Sequence, residues 1–223
     1  MFKHDPVDLG YDDLDAETLS SGRTYTTPTG NKYPSITTVL SVLSEDGIKA
    51  WRARVGEEEA NKISHRASTR GTAVHAIIED YINNVEGIYE KYMPNIVDNF
   101  KDVKSILDDN IGTVYAQELP LYSDHFGIAG RVDCVAEYNG VISIIDFKTS
   151  RKPKLRKYVH NYFAQEAYYA VAFEERTTVP ITQLVTIIAV DNEPPQVFIE
   201  HRDDWIPLLK EAISKYNQKQ KWR

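Results

Sequence analysis

The sequence predicts an α/β fold, a mixed β-sheet flanked by helices with a helical N-terminal part, and three observations carry that prediction. Apolar residues recur at helical spacing over 69–84 (Val74, Ile77, Ile78, Tyr81) and 93–109 (Ile96, Val97, Phe100, Val103, Leu107). The period then changes to that of strands over 113–122, 126–138 and 141–148. Asn139-Gly140 joins the last two as a two-residue hairpin turn. Finally, helical patterning over roughly 155–175 and 203–219 brackets strands near 182–190 and 196–200. Helices, then a hairpin-centred sheet, then a helix with more strands make an α/β sandwich.

Taken from its start, the chain of 223 residues falls within the range of one domain, 1–223. Residues 1–22 carry six acids against one lysine and few large apolar side chains, so an acidic, loosely packed arm is expected there. Tyr25 to Tyr33, turning at Pro28-Thr29-Gly30-Asn31, reads as a short hairpin. Pro34-Ser35 opens a helix through Val39, Leu40 and Leu43, and a further helix is expected over roughly 46–65, separate from that of 69–84.

A net charge of -7, from 33 acidic and 26 basic residues, argues against a protein that coats nucleic acid or anionic membrane without selection. The single cysteine, Cys134, excludes an internal disulfide and leaves no thiol cluster for zinc or an iron–sulfur centre. No apolar run approaches the roughly 20 residues of a membrane span, and the first residues do not read as a signal peptide. A cytoplasmic protein with no membrane partner is the expectation.

The 139–140 hairpin concentrates the chemistry. If its turn is of type I′, Tyr138 pairs with Val141, which sets Asp133 directly opposite Asp146 and Arg131 opposite Lys148. Facing carboxylates with Cβ atoms about 4.5–5.5 Å apart repel, so a cation belongs between them. A divalent ion such as Mg²⁺ is one answer, with Lys148 beside it to orient the attacking water. Ion pairing of the two acids with Arg131 and Lys148 on an ordinary hairpin is the plainer one. Val135, Ile142 and Ile144 share the face of the acids, and charge on a partly apolar face is costly unless used.

Gly130-Arg131-Val132-Asp133, followed by Asp146-Phe147-Lys148, resembles the G-x-x-D…D-x-K core of the PD-(D/E)xK nucleases, and within them the RecB-like exonuclease branch with its mitochondrial and phage members. Arg70-Gly71-Thr72-Ala73-Val74-His75 is similar to the R-G-x-x-x-H helix of that branch, Gln165-x-x-x-Tyr169 to its Q-x-x-x-Y helix, and Tyr33-Pro34-Ser35-Ile36-Thr37 to an N-terminal motif. Glu118 resembles the acidic position before G-x-x-D. The resemblance implies a restriction-endonuclease-like core. It also implies His75, Glu118, Asp133 and Asp146 as metal ligands for Mg²⁺ or Mn²⁺, Lys148 as the group that assists water, and Gln165 and Tyr169 as its support. It departs from the cluster-bearing members of the branch in lacking their cysteines, so no iron–sulfur cluster is expected.

Between 148 and 157, Lys148, Arg151, Lys152, Lys154, Arg156 and Lys157 occur with no acid, a phosphate track on an acidic protein or simply a solvated loop. Arg70 and the aromatic Tyr162 complete the expected nucleic-acid contacts, the ring by stacking on a base. The function expected is a DNA exonuclease preferring single strands or frayed ends, with a phage-encoded origin compatible. A structure-selective endonuclease and a non-catalytic nucleic-acid-binding subunit are the rival readings.

Overall fold

The structure is a computed structural model and describes residues 1–221; the last two positions of the expected domain lie outside the described residues. The N-terminal part contains strands β1 (Lys3–His4), β2 (Asp15–Leu19), β3 (Gly22–Thr26) and β4 (Lys32–Pro34), then helices α1 (Ile36–Leu40), α2 (Glu45–Val55), α3 (Glu57–Ile82), α4 (Ile88–Lys91) and α5 (Pro94–Asn110). There follow β5 (Ile111–Ser123), β6 (Ile128–Tyr138), β7 (Val141–Ser150), α6 (His160–Thr177), β8 (Gln183–Val190), β9 (Gln196–His201) and α7 (Arg202–Gln220).

Local chemistry fixes several of these boundaries. Ser35 caps α1 by accepting the Thr38 N–H at 3.1 Å, and Pro94 starts α5, where its missing donor costs nothing. Asn139 and Gly140 both have positive φ (53° and 77°), as a type I′ turn needs. The helix break expected near 65–69 lies earlier, at Gly56 with φ 86°, and α3 then runs unbroken through Arg70-Gly71. Its buried stripe of Val74, Ile77, Ile78 and Ile82 packs on the sheet and outweighs the weak intrinsic preference of the Ser68–Gly71 stretch.

Six strands form one sheet in the order β1-β5-β6-β7-β8-β9, and β2-β3-β4 form a smaller one. Pairing is antiparallel from β5 through β7 and parallel between β7 and β8, which α6 connects, so the sheet is mixed as expected. One face is covered by a core that includes Phe163, Tyr168 and Phe173 of α6, Leu209 of α7 and Ile36 of α1. The other is covered by α3 and α5 through Ile77, Phe100 and Leu107.

Residues 1–22 bury little, with Leu14 the one buried side chain, but backbone pairing ties part of them to the sheet. β1 pairs with β5, the Asp5 and Val7 amides donate to Val114 and Tyr115 at 2.9 and 3.0 Å, the Tyr11 hydroxyl donates to Pro120 O at 3.0 Å, and Leu14 is buried. Backbone pairing with an open strand edge holds this acidic segment, and composition carries no sign of it. No helix among the described residues is long and apolar enough to cross a membrane.

Candidate metal and nuclease site

The β6–β7 ladder runs from Tyr138–Val141 to Cys134–Ile145 and stops there. At the next step the strands part: β7 stays paired with β8 on its other edge, Asp146 with Thr186, while on the β6 side Asp133 Oδ2 accepts the Phe147 N–H at 2.9 Å. The expected facing of Asp133 and Asp146 is therefore a fork, with one carboxylate taking the place of a ladder carbonyl. Arg131 does not face Lys148 either; it donates to Glu118 O at 2.6 Å and pairs with Asp13. The carboxylates that face each other on neighbouring strands are Asp133 and Glu118, between the Gln117–Cys134 and Leu119–Val132 pairs.

His75, from α3, closes this group. Its Nδ1 lies 3.5 Å from Asp133 Oδ2, its ring meets Phe147 edge-on, and one ligand atom from each of His75, Glu118 and Asp133 falls within 4.8 Å of the others. On the α6 side of the fork, Asp146 is 1% exposed. Its Oδ2 touches the Lys148 ammonium without an aligned hydrogen bond, and Gln165 Nε2 reaches its Oδ1 at 3.5 Å. Tyr169 lies against Gly130, where an added Cβ would stand 3.0 Å from the ring and its hydroxyl, so the glycine of the G-x-x-D segment is what lets α6 come this close.

Electrostatics follow burial. Glu118 is pushed up to about 7, first by burial and then by the charge of Asp133. Burial likewise raises Asp146 above its ordinary value, with the Lys148 ammonium pulling back. For Lys148, burial works against the charge but Asp146 and Asp133 outweigh it and hold the ammonium above its usual range.

An imidazole nitrogen and two facing carboxylates fit a divalent ion. His75, Glu118 and Asp133 would hold it; Asp146 is not among the three whose ligand atoms come together and is paired with Lys148.

The expected nucleic-acid contacts divide. Arg151, Lys152, Lys154 and Lys157 are exposed, with no carboxylate partner among the described residues. Arg156, though its side chain is more than half exposed, differs from them in binding Glu200 through two hydrogen bonds of 2.6 Å and lying over Phe163 and Trp205. Arg70 is paired with Asp191 and only partly exposed. Tyr162 is half-buried with its ring centre 5.2 Å from Lys148 Nζ, so it faces the lysine, in place of the solvent position that base stacking would use.

One buried acid has no counterpart among the residues expected from sequence. Glu166, next to Gln165, is fully buried, accepts from the Thr186 hydroxyl and has a second oxygen without a partner. Burial, then Asp146, raise it well above its ordinary value. The available signal was an acid on the apolar stripe of Phe163, Ala167 and Ala170.

A forked mixed sheet thus gathers carboxylates, a histidine and a lysine where its strands separate. The family described as the PD-(D/E)XK nuclease superfamily matches over residues 47–220, and the chain belongs to that superfamily. It is similar to mitochondrial genome maintenance exonuclease 1 of Homo sapiens, with 29% identity over 133 residues, 56% of this chain and 38% of that protein. The same protein of Xenopus tropicalis is 25% identical over 207 residues, 84% of this chain and 59% of the relative. That of Mus musculus is 27% identical over 132 residues, 56% and 39%. The chain thus spans less than two thirds of the length of each of these relatives.

Proposed function

We propose that the chain is a metal-dependent DNA exonuclease that works from single-stranded or frayed ends. The observation that carries this is the fork itself: Asp133 and Asp146 leave the ladder together, with His75 and Glu118 on one side and Lys148 on the other. A bound Mg²⁺ or Mn²⁺ would polarise the attacking water and offset charge on the phosphoryl oxygens. In this reading His75, Glu118 and Asp133 would hold the ion, and Asp146, now paired with Lys148, would be a further ligand. Lys148, confined by the Tyr162 ring, orients water and meets the charge that develops in the transition state. Gln165 steadies Asp146, and Tyr169 fixes α6 against the strand that carries Asp133.

Arg151, Lys152, Lys154 and Lys157 track the phosphates next to the cleft, which supports a nucleic-acid substrate for a protein of net negative charge. The relatives' names support an exonuclease acting on DNA. Linear and closed circular single strands of one sequence, incubated with Mg²⁺, test the reading: the linear form should be degraded and the circle should survive. Rapid cutting of circles would replace end-dependent digestion by endonuclease action.

A further inference from the structure

Glu118 has φ 48°, in the left-handed region, inside a thirteen-residue strand. A non-glycine residue keeps that conformation only where its surroundings impose it. What surrounds Glu118 is a guanidinium. Arg131, two residues before Asp133 in β6 and opposite Pro120, reaches diagonally to donate its Nη1 to Glu118 O at 2.6 Å. Its Nη2 pairs with Asp13, whose carboxylate also accepts the N–H of the buried Leu14 at 2.7 Å. The fork of one arginine therefore ties the Glu118 backbone to an anchored point of the N-terminal segment.

We propose that Arg131 is a positioning residue for the metal cluster, holding Glu118 in the left-handed conformation that brings its carboxylate to His75 and Asp133, with Asp13 as the brace of the guanidinium. The two arms of the rigid, planar fork reach two separate acceptors in fixed directions, a geometry that the single nitrogen of a lysine does not reproduce. The carboxylate of Glu118 and the carbonyl gripped by Arg131 belong to one residue. Loosening the grip lets that residue relax toward ordinary strand geometry and turns the carboxylate away. This inference rests on Glu118 being a ligand of the proposed ion.

Mn²⁺ titration by calorimetry, without DNA, on the parent, Glu118→Gln, Arg131→Ala, Arg131→Lys and the double variant Glu118→Gln/Arg131→Ala separates the two layers. Arg131→Ala should weaken Mn²⁺ binding by roughly 10–100-fold, as loss of a ligand's orienting partner does, and Arg131→Lys should recover only part of it. The double variant should bind no more weakly than Glu118→Gln alone, because Arg131 acts through that residue. If Glu118→Gln binds Mn²⁺ like the parent, the ligand reading of Glu118 fails. If Glu118→Gln is weakened while Arg131→Ala is not, or the two losses multiply in the double variant, the positioning role is overturned. Should Arg131→Ala not fold, Asp13→Asn at an exposed site loosens the same fork: a loss of about threefold, in the range of an exposed ion pair, is expected only while Glu118 is present. An unchanged affinity there also overturns the proposal.

Discussion

Asp146 and Lys148 stand two residues apart in β7 and touch, yet they should fail differently. Asp146→Asn removes a costly buried charge and also the lysine's partner, two opposing effects, so the metal-free melting temperature should move by no more than about 2–4 °C, the shift of a 1 kcal/mol change at this size. Stabilisation by Mn²⁺ should fall, because only binding to the native state raises stability. Lys148→Ala should keep that stabilisation at pH 8 and retain DNA binding while cleavage drops roughly hundredfold or more, as when one transition-state donor is lost. Calorimetric melting beside a cleavage assay reads both; parental cleavage by both variants would make the hairpin structural. His75→Ala should weaken metal affinity more than DNA affinity, and Mn²⁺ should support activity at least as well as Mg²⁺, since an imidazole ligand softens the site.

Glu118 adds a dependence on pH. Its folded value of about 7 lies above that of an unfolded glutamate, so the native state holds a proton that the unfolded chain gives up sooner. Its contribution to the stability of the metal-free protein is full below the unfolded value of about 4.3 and should decline as pH rises toward and through 7. Glu118→Gln should flatten that decline, and thermal melts at pH 5 and pH 8 check it. Metal binding, which needs the carboxylate, should strengthen over the same interval with proton release, seen as a buffer-dependent binding enthalpy. At this scale Asp133, Asp146, Lys148 and His75 could be picked out because each sits in a short pattern tied to known chemistry. Glu166 and Arg131 could not, because one hides among apolar neighbours and the other acts through a backbone carbonyl.

Among the elements, α6 fits closely against β6. An added methyl at Gly130 meets Ile36 Cγ2 and the Tyr169 ring at 3.0 Å. Gly130→Ala should therefore cost about 1–3 kcal/mol by overpacking and reduce cleavage, since Tyr169 or the strand that carries Asp133 must shift. The segment after β7 makes a contrasting case. Replacing Arg151, Lys152, Lys154 and Lys157 by Ser should leave the melting temperature nearly unchanged but lower single-strand affinity, flattening its salt dependence by about 0.7 for each phosphate that is no longer neutralised. Arg156→Ala should do the opposite, destabilising the fold by stranding Glu200 with little change in the salt slope. Binding titrations across a salt series distinguish the two. Periodicity made α5 readable through its one apolar face, while β6 and β7, buried on both faces, were readable from their apolar runs and the turn that joins them. It misplaced the helix break, because tertiary packing of α3 overrides the local preference of Ser68-Thr69-Arg70-Gly71.

For the molecule as a whole, the mixed sheet and its helical layers followed from the change of period and the Asn139-Gly140 turn, both local signals. The fork followed from neither. β7 keeps its parallel partner β8 from Ser143 to Ser150, past the point where β6 leaves it, and that pairing is a long-range fact with no trace in the hairpin itself. The course of residues 1–22 along the edge of β5 is likewise long-range.

That course matters for how the chain meets other copies of itself. A strand of only two residues, Lys3–His4, with the amides of Asp5 and Val7 beyond it, is the selvedge of a thirteen-residue β5. Removing residues 1–9 would leave the Val114 and Tyr115 carbonyls with no donor on an uncovered edge of β5, whose pairing with β6 shifts register at Val114, and an uncovered strand edge is the kind of border onto which another chain can knit. The trimmed protein should show concentration-dependent growth in light scattering at temperatures where the full chain stays monodisperse, and a tag fused directly before Met1 should be tolerated so long as this seam is left intact.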